Sequence, residues 1–555
     1  MLCAALTMWC MRWCGFEQRK QSMPLRSFSS RFVRASRTLC SALALSIALG
    51  GPVSAESLKE ALTAAYLYNP TLKAARAQLR ATDNQVARAK SGYRPRVSAT
   101  LQAGRADTRT RYQSSGFGAD QNIALCATDC TDGRVNGSIP ISVFDSSQAS
   151  NGLYNPRTAQ IAVQQNVFDG FRTYNNVKGA EASVEAGRED VRNSEQTMLL
   201  NAATAYMDVV RDQAIVNLRQ NNVRVLAEQL RATEDRFKVG EVTRTDVAQA
   251  QSGLAQSQAD LSIAQGTLYG DQARFAQYIG HPPGTLRDPG PATNLLPKTL
   301  DEAIAVAQSE NPLILSALFR ERAQQHQVKQ VKGELLPQLT VEASYTKGAQ
   351  TQSPLINQYD DARIVGSLNI PIYEGGEVSA RIRAEIETLS QRRQQIDEAR
   401  EIARQQVSSA WGLLIAAKGN VAAGEAAVEA TRIALQGVRE EERVGQRTLL
   451  DVLNSEQQNL NAQVNLVSYR RDLVVASYSV LSGMGRLTAS DISLQAELYD
   501  PTRYYAQVKD AWYGWGASVE SQEDPRVVPV EDPGLLPGQD SADGPAYTQK
   551  LPQIP

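Results

Sequence analysis

The chain has 555 residues, a formal net charge of −1, only 6% aromatic residues and two histidines. So few bulky side chains suit long, thin helical packing better than a wide globular core. Residues 1–55 hold seven basic residues and one acidic one, leaving about −7 on the remainder; an acidic chain argues against nucleic acid as a partner.

The N-terminus reads as an export signal over residues 1–55. Arg26, Arg31, Arg34 and Arg37 form a basic region, Leu39 to Gly51 is apolar, and Val53-Ser54-Ala55 is a small-x-small cleavage site before Glu56. Residues 1–22 precede a second methionine, Met23, which is an alternative start. The apolar stretch is too short to span a bilayer as a helix. Cys3, Cys10, Cys14 and Cys40 lie in this leader, whereas Cys126 and Cys130 sit four apart in a polar loop. A local disulfide suits an oxidising compartment, and two free thiols or a weak metal site are the alternative. A lipid anchor would need a cysteine directly after the cleavage site, where Glu56 stands. No later stretch offers 18 consecutive apolar residues, so the exported chain is secreted, periplasmic or inserted as a barrel.

The rest of the chain reads twice. Ser57-Leu58-Lys59-Glu60-Ala61-Leu62 leading to Asn69-Pro70 is answered by Thr299-Leu300-Asp301-Glu302-Ala303-Ile304 leading to Asn311-Pro312, an offset of 242. Val239-Gly240 with Asp246-Val247 is answered by Val444-Gly445 with Asp451-Val452, an offset of 205. A unit of this size exceeds solenoid periods of about 20–50 residues. The chain divides into a first repeat (56–280), a linker (281–298), a second repeat (299–488), an aromatic segment (489–517) and an acidic, Pro-rich tail (518–555) expected to be disordered.

Within each repeat the expected order is short helix, helix, strand, loop, strand, very long helix, turn, long helix. The Asn-Pro pairs break the first two helices, since Pro cannot continue a helix but suits a first turn. Period-two alternation then puts Val97, Ala99, Leu101 and Ala103 on one face, and likewise Ala159, Ile161, Val163 and Val167. The second repeat matches with Leu339, Val341, Ala343 and Tyr345, then Ile364, Leu368, Ile370 and Ile372. Strands of about ten residues with one apolar face suit a bilayer crossing; a half-buried sheet on a soluble domain is the alternative. The polar connections span about 105–157 and 347–362, and the first carries the 37 extra residues that separate the two offsets. Beyond Gly170 the helical pattern runs to about Phe237, roughly 100 Å of helix. After Gly240, Val247, Ala250, Leu254, Leu261, Ala264, Leu268, Phe275 and Tyr278 make a heptad seam.

This arrangement resembles the TolC family of outer-membrane channel-tunnels over about Glu56 to Thr488. The resemblance rests on Arg236-Phe237-Lys238-Val239-Gly240 with Thr245-Asp246-Val247, on Val444-Gly445-Gln446-Arg447-Thr448 with Asp451-Val452-Leu453, and on Val167-Phe168-Asp169-Gly170 and Ile372-Tyr373-Glu374-Gly375-Gly376. It implies an α+β membrane protein. Four strands per chain would contribute to a 12-stranded trimeric outer-membrane β-barrel continuous with a coiled-coil periplasmic tunnel. It further implies a homotrimer in outer-membrane lipid, serving a periplasmic adaptor and an inner-membrane pump of ABC or RND type in multidrug efflux or type I protein secretion. The alternative is a periplasmic coiled-coil adaptor or adhesin without a pore.

By the same resemblance, Val239-Gly240 and Val444-Gly445 are adaptor-docking tips, and each Gly equally fits a helix cap. Asp451 would line the lumen as a three-fold ring that attracts cations. Thr245, Asp246 and Arg447 match positions that latch the gate. Thr243-x-x-Asp246 and Thr448-x-x-Asp451 also fit capping boxes. Asn454 replaces a second lumenal Asp, and Glu442 replaces a latching Tyr, putting a carboxylate within reach of Arg447. No catalytic residue, metal or cofactor is expected. His281 beside Pro282-Pro283 and His326 on a helix face form no triad or ligand set.

Overall fold

The structure is a computed structural model that describes residues 55–111, 123–124, 138–139, 149–349 and 358–514. The leader up to residue 54, Cys126, Cys130 and the tail 518–555 lie outside the described residues.

Each repeat opens with a capped helix pair. Ser57 and Glu60 form a reciprocal capping box at the start of α1 (Leu58–Tyr68), and Thr299 caps the helix equivalent to it in the second repeat. Asn69 separates α1 from α2 (Pro70–Lys90), its side chain accepting from Thr71 N–H at 2.9 Å while Pro70 occupies the first turn. Asn69 also donates to the Tyr278 carbonyl at 2.9 Å. Asn311 repeats both bonds, to Leu313 N–H and the Gly483 carbonyl, each at 2.9 Å. The Asn of each Asn-Pro pair therefore ties its helix junction to the last turn of the hairpin that follows.

After α2 a short 3-10 turn leads into β1 (Arg96–Ala103). The polar connection is partly strand: β2 (Ala106–Arg111) pairs with β5 (Ala149–Tyr154), and β3 (Ile123–Ala124) with β4 (Ser138–Ile139). The expected loop at 105–157 is thus a β-ribbon in its described parts. Its Thr-, Ser- and Asn-rich sequence carries no apolar alternation that would mark it. β6 (Arg157–Phe168) returns to α3 (Arg172–Lys238), a turn leads to α4 (Arg244–Ile279), and the linker follows. The second repeat gives α5 (Leu300–Glu310), α6 (Pro312–Lys332), β7 (Gln338–Ala349), β8 (Tyr359–Asn369), α7 (Glu377–Arg443) and α8 (Leu449–Met484). Equivalent helices have equal lengths of 11, 21, 67 and 36 residues. The offset changes only between the start of β1 and the start of α3.

α3 and α7, each about 100 Å long, are too long for one partner. α3 packs between α2 and α6 along its first half and against α4 along its second. The seam residues Ala250 and Phe275 are buried, and an apolar core forms where α1, α3, α4, α5 and α8 meet around Leu62, Tyr206, Phe275, Leu481 and Met484. Asp83 of α2 is fully buried, and neither of its oxygens has a hydrogen-bond partner. Burial pushes its carboxyl up to about 6, against the pull of Arg188 and Arg80 and with a push from Glu185. A folded-state value above the unfolded one favours folding at low pH, and that advantage is lost as pH rises through 6. Asp83→Asn should therefore stabilise the solubilised protein by about 2 kcal/mol at pH 8 and hardly at all at pH 4, seen as a raised melting temperature at pH 8 only.

The main sheet has the antiparallel order β1-β6-β7-β8. Its register places Leu101 opposite Ala159, Ile161 opposite Tyr345 and Ala343 opposite Ile364. The expected apolar face is therefore continuous across the four strands except at Val167, which a bulge drops from the register so that Phe168 stands opposite Leu339, while Ser98, Thr100, Gln160, Ser344 and Arg363 lie on the other. Ile370 and Ile372 fall past the end of β8 and are not strand residues. The apolar face is bare in the single chain: Leu101 is 82% and Ile364 79% exposed. Among the described residues β1 and β8 leave two unpaired edges, and no helix is long and apolar enough to cross a membrane.

Candidate functional site

The two helical tips are built alike. Arg236 to Glu241 closes α3 with Gly240 N–H donating to the Phe237 carbonyl at 3.0 Å and Glu241 N–H to the Arg236 carbonyl at 3.0 Å. Glu441 to Gln446 closes α7 with the matching pair at 2.9 and 2.9 Å. This six-to-one, five-to-two pattern needs a left-handed residue after the helix, supplied by Gly240 (φ +83°) and Gly445 (φ +80°). The turn holds Val239 and Val444 outward, 72% and 68% exposed. An exposed β-branched residue at the apex of each turn offers a small apolar contact surface.

The next helices start on matched boxes. Thr243 donates through N–H and Oγ1 to Asp246 Oδ2 at 2.8 and 2.7 Å. Thr448 does the same to Asp451 Oδ2 at 3.0 and 2.8 Å. The Thr243 hydroxyl and N–H hold the Asp246 carboxyl below its ordinary range. The Thr448 N–H and hydroxyl do so for Asp451, with a smaller contribution from Arg447. In the single chain both carboxylates are therefore fixed by their capping bonds and held toward the ionised form. Thr245 is exposed on the first turn of α4 and Asn454 on the second turn of α8.

The ion pairs differ from the sequence expectation. Glu442 does not reach Arg447. It accepts from Arg236 at 2.8 Å, joining the end of α7 to the end of α3, while Arg447 pairs with Glu441 at 2.8 Å. The reason is helical geometry: Glu441 is the residue whose carbonyl closes the turn beside Arg447, and Glu442 lies one residue round, facing the other hairpin. Arg236 is an ion-pair partner that sequence spacing does not show, because the pair depends on how the two hairpins pack.

A second feature is the strand-to-helix junction. Gly170 has φ +68°, and a Cβ there would collide with the Gly333 carbonyl oxygen. Gly333 in turn faces the Gly170 carbonyl oxygen. The exit of the first repeat thus packs backbone to backbone on the approach to β7. The equivalent of Gly170 in the second repeat, Gly375, and its neighbour Gly376, which answers Phe171, meet nothing within 4 Å.

The sequence signature described as outer membrane efflux protein matches residues 61–281 and 303–486. The chain is 37% identical to the outer membrane efflux protein BepC of Brucella suis, over 84% of this chain and 93% of BepC. It is 26% identical to the outer membrane protein TolC of Escherichia coli, over 62% of this chain and 72% of TolC. The crystal structure of the Campylobacter jejuni CmeC outer membrane channel superposes with a TM-score of 0.63 at 15% identity, over 81% of this chain and 89% of that one.

Proposed function

Because the chain belongs to the outer membrane efflux protein family, we propose that it is the exit duct of a tripartite export apparatus, assembled as a homotrimer. Relatives place it in the outer membrane as an efflux or secretion channel. The observation that carries the finer reading is the sheet with two unpaired edges and a bare apolar face. Open edges are aggregation templates unless something pairs them, and four strands cannot close. Three copies give twelve. The β6–β7 joint inside the chain supplies the pattern for closure: moved by the repeat offsets, it sets Leu368 of one copy opposite Leu101 of the next, and Asn369 opposite Thr100. The helices of three copies then line a periplasmic tunnel.

In this reading Val239-Gly240 and Val444-Gly445 dock a periplasmic adaptor that links the duct to an inner-membrane pump of ABC or RND type. Cargo is small molecules or proteins, and similarity to an efflux protein supports the former. Deleting the gene should raise sensitivity to toxic small molecules or remove a secreted protein from the medium. If neither changes, the duct reading fails.

Asp451 is proposed as the lumenal ring at the tunnel entrance, with Arg236–Glu442 holding the two tips together and Arg447–Glu441 bracing the second tip, beside Thr245, Asp246 and Asn454. Asp451→Asn keeps a box-compatible side chain and removes the charge. In planar bilayers it should weaken block by a multivalent cation on the order of tenfold. Unchanged block would mean that Asp451 does not line the pore.

A further inference from the structure

The segment after α8 is not a loose end. Tyr499 N–H donates to the Tyr66 hydroxyl at 3.0 Å, and the Arg76 guanidinium is sandwiched between the Tyr66 and Tyr499 rings at 4.6 and 4.8 Å. Helix α9 (Pro501–Val508), capped by Asp500, then runs along α2. Asn84 donates to the Tyr504 hydroxyl at 3.0 Å, and Arg188 of α3 stacks on Tyr505 at 5.3 Å. Lys90 pairs with Asp510 at 2.6 Å, Arg94 donates to the carbonyls of Asp510 and Ala511, and its guanidinium stacks on Trp512 at 4.7 Å. Partners on the α2 side advance from residue 76 to 94 as the arm advances from 499 to 512. The arm therefore climbs parallel to α2 and ends two residues short of β1, where the sheet begins.

Its face of the wall is also fixed. Gln78, Thr82, Gln85 and Ala89 share one side of α2 and line a polar groove of about 1080 Å³ with Asn176 and Gln327. Arg76, Asn84 and Lys90, which hold the arm, fall on the opposite side of the helix. The polar open groove suits a water-filled lumen, which puts the arm on the outside. There Trp512 is 69% and Tyr513 96% exposed, level with the foot of the sheet.

We propose that the arm is a membrane strap: it delivers Trp512 and Tyr513 to the headgroup level of the periplasmic leaflet of the outer membrane. The two rings have the amphipathic character of residues at bilayer interfaces. Lys509 beside them suits a lipid phosphate, while Lys90 and Arg94 fasten the arm to the wall. Barrel proteins carry such aromatic girdles on their strands; here part of the girdle comes from a C-terminal arm fastened to the tunnel wall. The inference rests on the strands being bilayer-facing.

The test uses the full chain in vesicles of phosphatidylethanolamine and phosphatidylglycerol. Trp411→Phe and Trp515→Phe leave Trp512 as the reporter in the mature protein, and spin-labelled lipids carry quenchers at headgroup depth or deep in the acyl chains. Trp512 emission should fall by about half with the shallow label and little with the deep one. A second reporter, Leu101→Trp with Trp512→Phe in the same background, should be quenched by the deep label. If Leu101→Trp is quenched and Trp512 is not, the strap is overturned while the barrel stands, whether Trp512 proves open to aqueous acrylamide or covered by a second copy. If Leu101→Trp is also silent, the bilayer-facing sheet and the strap fall together.

Discussion

Gly170→Ala should abolish the folded protein in the outer membrane, whereas Gly375→Ala should leave each chain folded and block its assembly. The two positions are equivalent in the repeat and share a left-handed backbone, φ +68° and +64°. An added Cβ costs about 1–2 kcal/mol from that conformation alone. At Gly170 it also strikes the Gly333 carbonyl oxygen and the Leu336 side chain of the same chain. Backbone on both sides cannot swing away, and the total should be on the order of 4 kcal/mol, a large part of a typical folding free energy. At Gly375 the single chain offers no obstacle. In the proposed ring, however, the second repeat's exit meets the next copy's first repeat, so the Cβ would face the next copy's Ser91 and Arg94, the counterparts of Gly333 and Leu336. The measurement is twofold: melting of the solubilised monomer, and heat-modifiable oligomers in the outer-membrane fraction. A Leu101→Cys, Leu368→Cys pair, with Cys126 and Cys130 replaced by Ser, should cross-link neighbours in the parent and not in Gly375→Ala. If Gly375→Ala assembles normally, the closure inferred from the internal joint is wrong.

The contrast between these glycines also separates what is legible in the sequence from what is not. The doubling, the strand faces and the long hairpins follow from local periodicity, because lipid, water and heptad packing each impose one repeat length on the chain. Val97, Ala99, Leu101 and Ala103 fall on one face by alternation alone, with no knowledge of their neighbours, and the register agrees. Asn69 and Asn311 are visible in the sequence only as companions of Pro; that each also donates to a carbonyl of the following hairpin, 209 and 172 residues away, depends on tertiary packing. The same holds at the tips. The capping boxes at Thr243 and Thr448 are four-residue patterns and so are legible. The pairing of Glu442 with Arg236 rather than Arg447 is not, because it joins two helices whose relative rotation no short window records. The aromatic cluster after Pro501 stands out by composition, while its route along α2 depends on Asn84, Lys90 and Arg94, which look like ordinary helix-surface residues.

Leu101→Arg should remove most of the protein from the outer membrane, and Thr100→Arg, one residue away, should leave it there. In a soluble sheet the opposite result would be unremarkable. Leu101 is 82% exposed, and a charged replacement at so open a position shifts stability by about 0.5 kcal/mol or less in water. Against lipid the same change costs about 2–4 kcal/mol near the middle of the bilayer, because the guanidinium has no water to reach. Thr100 faces Gln160 across the β1–β6 pair, on the polar side, where a lumen would solvate the new charge. Adjacent residues on one strand with opposite tolerance are what a bilayer on one face alone demands, since successive side chains point to opposite faces. The experiment compares the amount of each variant in the outer-membrane fraction and its resistance to denaturant after extraction. Equal tolerance at 100 and 101 would mean that both faces see water, and the barrel would lose its physical basis. Equal intolerance would mean that both faces are packed by protein. Only the asymmetric result leaves one side wet and the other in hydrocarbon, and a closed ring of such sheets is the arrangement that satisfies the free edges of β1 and β8 at the same time.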